Sequence, residues 1–333
     1  MPERVMTGDR PTGKLHLGHF VGSLRRRLDL QETHPMTVLV ADLQALTTHA
    51  ERPEEVRSAI RDVALDYLAV GLDPARTTLA LQSLLPELAE LAAIFGLLVT
   101  VGHLYRNPTI KAERASLGID EEHLTYGFLG YPVSQAADIV GLGGVLVPVG
   151  ADQVPHIEEA RRIVRRFNTL YGEVLVEPRA LVGEVPRLSG IYGKDKMSKS
   201  LGNAIFLSDP PDDLRKKVRQ IYTDPTRLKA TDPGHLEGNV VFEYLDAFDP
   251  DAPGLSELKE RYQAGGIGDV AVKDRLFEVL DGLLAPIRER RSQWEQDPEA
   301  VERVLQEGSE RARAIAIRVL TQVRDAMGLP LRL

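Results

Sequence analysis

The chain has 333 residues, of which 43% are hydrophobic and 27% charged, with a formal net charge of −8 and no cysteine. The missing cysteines exclude disulfides and cysteine-ligated zinc and fit a reducing, cytoplasmic setting. The acidic balance argues against a general nucleic-acid coat. Nucleic-acid contact is therefore expected from local clusters, Arg161 to Arg166 and Arg288 to Arg291, each of which also reads as a solvated helix face. No segment approaches the ~18–20 apolar residues of a membrane span, and the opening residues lack the apolar run of a signal peptide.

Short β-rich runs alternate with helical patterns through the first half, which predicts an α/β fold on a parallel sheet. Val5-Met6-Thr7 reads as the first strand, ended by Gly8. The turn from Thr7 to Lys14 leads into His16-Leu17-Gly18-His19 and a helical run from Phe20 to Leu30. A turn at the carboxyl end of a strand that enters a helix is a nucleotide-binding position in open α/β sheets. Thr7, Gly8 and Gly18 are therefore assigned to ATP, Gly18 because a residue without Cβ lets adenine lie against the backbone. His16 and His19, three apart, share a face and are assigned to donate hydrogen bonds to phosphates as charge builds. The other readings are a metal pair, beside which no third ligand stands, and ordinary surface residues.

Thr37 to Ala41 reads as the second strand and Thr78 to Leu81 as the third. Between them Pro53, Glu54 and Glu55 open a helix that Gly71 stops, and Pro86 opens another. Pro132 is expected to open a further helix that carries Tyr131, Gln135 and Asp138 on one side. A carboxylate there can accept one N–H or O–H from a buried ligand and reject ligands without it; the alternative is that Asp138 caps or pairs locally. Val145 to Val149 reads as the fourth strand, stopped by Gly150, and Asp152 with Gln153 starts a helix whose amides and acceptor suit ribose hydroxyls.

After about Pro186 the strand signals fade and helices dominate, expected over 212–222, 239–248, 255–263, 270–294 and 298–327. The predicted domains are 1–186, an α/β domain, and 187–295, a smaller all-helical one, with 296–333 packing back on the first. Near the junction lies Lys196-Met197-Ser198-Lys199-Ser200, with Lys194 just before it. So many lysines repel one another unless an anion or solvent attends them. Lys196 and Lys199 are assigned to the β- and γ-phosphates, with Met197 and Ser198 in support, on a loop that closes when ATP binds.

Taken together, the histidine tetrapeptide and the lysine-serine loop resemble a class I aminoacyl-tRNA synthetase, closest to the tryptophanyl-tRNA synthetase family. The likeness extends through Leu68-Ala69-Val70-Gly71-Leu72-Asp73-Pro74, Gln82-Ser83, Ala136-Ala137-Asp138-Ile139, Val147-Pro148-Val149-Gly150 and Ala326-Met327-Gly328-Leu329. It implies a Rossmann-type catalytic domain, a helical domain on the anticodon side and a homodimer. It also implies ATP with Mg²⁺, with no protein-held metal, forming tryptophanyl-adenylate from L-tryptophan before transfer to tRNA(Trp). By that resemblance Asp138 receives the indole N–H, and Met6, Gln44, Tyr131, Gln135, Val147 and Val149 line the indole pocket. Gly150, Asp152 and Gln153 meet the ribose, Lys111 is a mobile lysine that reaches the phosphates, and Arg10 lies near the ammonium and α-phosphate. The chain departs from the common bacterial pattern at His16 and His19 (usually Thr and Asn), at Gln135 (often Met), at Gln44 (often His) and at Arg10 (mostly Gln). Those departures keep a tyrosyl enzyme open, since archaeal-type members place Tyr, Gln and Asp along the same helix. A small nucleotidyltransferase, which shares the His-x-Gly-His turn, and a paralogue with an added protein-binding or regulatory role are the further alternatives.

Overall fold

The computed structural model describes residues 3–182, 188–193, 195–199, 201–224, 226–227 and 229–329. The chain divides into two compact units: Met1–Gly13 with Arg26–Gly183 and Asp297–Leu333, and Lys14–Arg25 with Glu184–Gln296. The boundary expected at 186/187 lies outside the described residues.

The first unit is built on a five-stranded parallel sheet: β1 (Val5–Asp9), β2 (Met36–Val40), β3 (Thr77–Leu81), β4 (Leu146–Val149) and β5 (Arg179–Val182), in the order β3-β2-β1-β4-β5. β2 is buried at every residue and the register runs Val5 opposite Met36 and Val40 opposite Leu81, as expected when helices cover both faces of a parallel sheet. The strand order reverses between β1 and β4, so the switch point lies at their carboxyl ends. β1 runs past Gly8, where its end was expected, to Asp9, because Gly8 and Asp9 still pair with Leu39 and Val40, while Gly150 directly follows β4. β5 is an addition to the four strands expected; Arg179 and Val182 are exposed, so it carries no buried apolar run to announce it.

Helix punctuation follows the sequence closely. Pro53 is the first residue of helix Pro53–Val70, which ends on Gly71 at φ 108°, a left-handed position open to glycine. One expectation fails: Pro132 does not open a helix. The helix is Tyr126–Gly141, capped by the Thr125 hydroxyl, which accepts the Phe128 N–H at 3.1 Å, and Pro132 sits inside it. Proline removes one intrahelical bond, but buried Phe128, Leu129, Tyr131, Val133, Ala136 and Ala137 hold the helix through that point. The last long helix, Pro298–Ala326, lies against β3. There the Ser309 hydroxyl accepts the Leu81 N–H at 2.9 Å, and a Cβ on Gly308 would come within 1.8 Å of the Leu79 carbonyl oxygen.

The second unit holds helices Pro211–Gln220, Val240–Phe248, Ala252–Gln263 and Asp269–Glu295. Their apolar sides, including Leu214, Val218, Phe242, Leu245, Tyr262, Leu276, Leu280 and Leu284, are buried. Lys14–Arg25 groups with this unit because its backbone is zipped to a later segment. The Leu17 N–H donates to the Ile205 carbonyl, the Leu207 N–H donates to the Leu15 carbonyl, both at 3.0 Å, and His16 bridges Phe206.

Candidate active site

In the second unit the two sequence signatures meet. Leu15 and Leu17 are fully buried and pin the tetrapeptide. His16, with extended backbone, caps the helical turn Leu17–His19: its Nδ1 accepts the Gly18 N–H at 3.1 Å, and His19 Nδ1 accepts the His16 N–H at 3.3 Å. This is a reciprocal capping box made of imidazoles in place of the usual Ser/Thr and Glu/Gln. The ring centroids are 3.9 Å apart at 55°. An Nδ1 that accepts is unprotonated, so the hydrogen-bond network assigns the proton of each neutral ring to Nε2. Both imidazoles thereby carry an Nε2–H donor. A π-helical turn, Phe20–Leu24, follows at once.

The Gly18 N–H also points at the Met197 sulfur, at 3.3 Å. Met197 is 4% exposed, so it anchors the lysine loop under the histidine turn while Lys196 is exposed and Lys199 half-buried on either side. A Cβ on Gly18 would come within 2.9 Å of the His16 ring and 3.7 Å of Met197 Cβ. The loop backbone is held by Asn203, which sequence reasoning overlooked. Asn203 is 3% exposed; its Oδ1 accepts the Ser198 N–H at 2.7 Å and its Nδ2 donates to the Lys196 carbonyl at 3.0 Å. Gly202 at φ 63° closes the turn with its N–H on the Lys199 carbonyl. Lys194 and Ser200 lie outside the described residues.

In the first unit, helix Tyr126–Gly141 turns Tyr131 and Asp138 inward, 6% and 2% exposed, with Gln135 half-buried. Asp138 neither caps nor pairs locally. Gln44 Nε2 donates to its Oδ2 at 2.7 Å, and Gln82 Nε2 donates to Oδ1 at 2.9 Å and Oδ2 at 2.8 Å. The Gln44 backbone N–H in turn donates to Gln82 Oε1 at 3.1 Å. Burial pushes the Asp138 carboxyl up to about 7, the two amides pull it down, and Asp42 adds a small upward push. The arrangement is a buried carboxylate fixed by amides, able to accept one donor from a ligand.

The Tyr131 hydroxyl meets His156 Nε2 at 3.1 Å, and burial, with Glu113 close by, raises its pKa, so it stays a neutral hydrogen-bonding group. Glu113 pairs with Arg10 at 3.1 Å. His156 and Glu113 carried no role in the sequence reading; a His two residues beyond the Asp-Gln-Val turn and a Glu two beyond Lys111 were the available signals. Met6, Val147 and Val149 are buried at 4%, 3% and 9%, on the adjacent strands β1 and β4. Thr7 donates to the Pro148 carbonyl at 3.4 Å. A Cβ on Gly8 would come within 2.3 Å of the Leu39 carbonyl oxygen, so close strand approach requires glycine there. Past β4, the Gln153 N–H closes on the Gly150 carbonyl at 3.0 Å, starting a 3₁₀ turn that runs into helix Val154–Tyr171. The Asp152 side chain lies outside the described residues. Lys111 is exposed on helix Pro108–Leu117, capped by Asn107, and stands apart from the Asp138 cluster in the bonds described.

The basic clusters are largely compensated. Arg161 pairs with Glu158 and Glu177, Arg162 with Glu159, Arg165 with Glu177, Arg288 with Asp281 and Arg291 with Glu295.

Known proteins resemble the chain along most of its length. The family model described as tRNA synthetases class I (W and Y) matches residues 1–285. A tryptophan–tRNA ligase of Clostridium longisporum is 52% identical over 332 residues, covering 98% of this chain and 97% of its own. The tryptophanyl-tRNA synthetase of Campylobacter jejuni, solved with ADP and tryptophan, superposes with a TM-score of 0.85 at 32% identity, covering 98% of this chain and 100% of the other. The tyrosyl-tRNA synthetase of Archaeoglobus fulgidus, solved with L-tyrosine, scores 0.67 at 25% identity over 87% of this chain and 90% of its own. The chain therefore belongs to the class I tRNA synthetases for tryptophan and tyrosine, and its 52%-identical relatives are tryptophan–tRNA ligases.

Proposed function

We propose that the chain is a tryptophan–tRNA ligase, which activates L-tryptophan with ATP to tryptophanyl-adenylate and pyrophosphate and then transfers the tryptophan to tRNA(Trp). The observation that carries this reading is the Gly18 N–H on the Met197 sulfur, which joins the histidine turn to the lysine-serine loop within one unit. The tryptophan carboxylate attacks the α-phosphorus in line and expels pyrophosphate, so no enzyme nucleophile or base is required. Positioning and electrostatics supply the acceleration. The Nε2–H groups of His16 and His19 and the ammonium groups of Lys196 and Lys199 donate to phosphate oxygens, while Asp138 accepts the indole N–H. Gly150, Asp152 and Gln153 are assigned to the ribose, and Arg10 and Lys111 to the phosphate side.

Mg²⁺ enters with ATP as part of the nucleotide substrate. Among the described residues no group of three or more His, Cys, Asp or Glu is placed to hold a metal ion. The working form is proposed as a homodimer, a reading supported by Leu97, Val101 and Tyr126, exposed by 79%, 60% and 85% in the first unit. A cytoplasmic setting is supported by the absence of cysteine, and among the described residues no helix is long and apolar enough to cross a membrane.

The test is tRNA charging by the purified chain with ATP and labelled amino acid. Label from tryptophan should become acid-precipitable on tRNA(Trp). Absence of charging with tRNA(Trp), alongside active control enzyme, would contradict the reading.

A further inference from the structure

The Asp138 carboxylate is held more elaborately than a bare acceptor requires. Gln82 is the first residue beyond β3, on the short turn Gln82–Leu84, and Gln44 lies on helix Asp42–His49 beyond β2. The turn is tied to that helix by the Ser83 N–H, which donates to Asp42 Oδ1 at 2.9 Å. Because the Gln44 N–H occupies Gln82 Oε1, the Gln82 amide has one orientation, with Nε2 toward Asp138. Oδ2 receives both amides and Oδ1 receives one. A carboxylate offers about four acceptor positions, so the larger remaining capacity is on Oδ1.

We infer that Gln82 is a positioning residue for amino-acid recognition: with Gln44 it fixes the Asp138 carboxylate as an ionised acceptor whose Oδ1 is left for the ring donor of the substrate. The inference rests on the reading that Asp138 receives the indole N–H. Gln82 touches no substrate; it acts through Asp138. Its chemistry is a donor to the charged form of a buried acid, and such a donor lowers the pKa of that acid. Without it, burial wins and Asp138 takes a proton. A protonated carboxyl adds an O–H donor and loses charge, so it is a poorer acceptor for the indole N–H.

The charged groups on the elements around Asp138 do not supply a substitute. Asp42, on the helix of Gln44, pushes its pKa upward. Tyr131 and His156 bond each other, His103 bonds Glu159, and Glu87 bonds Arg313. The two amides are the groups that pull the Asp138 pKa back down against burial.

The experiment measures KM for tryptophan in ATP–pyrophosphate exchange from pH 6 to 9 for the wild type, Gln82→Met, Gln44→Met and Asp138→Asn. With the wild-type group near 7, KM should rise ~4-fold from pH 8.5 to 6.5, the ratio of ionised fractions. Loss of one donor, taken as ~1 pH unit, makes that rise ~25-fold in Gln82→Met, with kcat little changed. Gln44→Met should shift the same limb in the same direction, which keeps the test open if the first variant folds poorly. An unshifted limb in both variants, or a KM raised equally at every pH, overturns the positioning role. A wild-type KM for tryptophan in Asp138→Asn overturns instead the pocket reading beneath it, so the two failures are told apart.

Discussion

Asn203 offers the sharpest separation of rate from affinity. Its side-chain amide bonds two backbone groups of the lysine loop, the Ser198 N–H at 2.7 Å and the Lys196 carbonyl at 3.0 Å, and it is 3% exposed. Asn203→Ala deletes both bonds and leaves two loop groups without that partner. At ~0.5–1.5 kcal/mol net for each bond, the ordered loop loses ~1–3 kcal/mol. If the loop lysines bind phosphate more strongly in the transition state than in the resting complex, that loss appears in the activation barrier. A barrier raised by ~1–3 kcal/mol slows adenylate formation about 5- to 150-fold. Tryptophan affinity should stay unchanged, because the Asp138 pocket belongs to the other unit. Single-turnover adenylate formation, paired with equilibrium dialysis of labelled tryptophan, reads both quantities. A rate within 2-fold of wild type, or an equal loss of tryptophan affinity, would refute the reasoning.

Three other outcomes follow from the same geometry. Lys199→Ala should lower the pyrophosphate-exchange rate with little change in tryptophan affinity, which exchange kinetics and dialysis report together. Arg27 is 1% exposed and pairs with Asp9 at 2.7 Å, where the Tyr67 hydroxyl also donates at 2.6 Å; Arg27→Met removes the cation from a largely buried carboxylate and should cost ~3–5 kcal/mol in urea unfolding. Asp138, raised from 3.8 to about 7, binds its proton more tightly folded than unfolded. Its contribution to stability is thus complete below about pH 4 and is lost as pH rises through 7. Asp138→Asn should accordingly melt above the wild type at pH 8, with the gain vanishing toward pH 4, as followed by calorimetry.

The elements with local signals were legible from the chain. Gly71 reads as a stop because only glycine accepts φ 108° without strain, and Pro53 reads as a start because its missing N–H is no loss there. The pattern of apolar runs also placed β1 to β4 within a residue or two. What stayed hidden depends on long-range contact. Asn203 carries no signal in the sequence, and Gln82 was noted only as part of the family likeness; their roles come from partners 5 to 7 and 38 to 56 positions away. β5 hides because half its residues face outward. The zipper of Leu15 and Leu17 onto Ile205 and Leu207 has no periodic signature either, yet it carries the histidine turn into the second unit. The shared face of the two histidines was legible from their spacing, whereas their reciprocal capping, which sets the Nε2–H tautomers, required coordinates.

The central claim is that a buried acceptor at Asp138 selects the indole of tryptophan for activation by the histidine turn and lysine loop. Side-by-side ATP–pyrophosphate exchange with tryptophan and with tyrosine, on one preparation at one pH, tests it most directly. The account predicts exchange that saturates with tryptophan and stays near background with tyrosine. Equal or stronger exchange with tyrosine, or none with either, would contradict it.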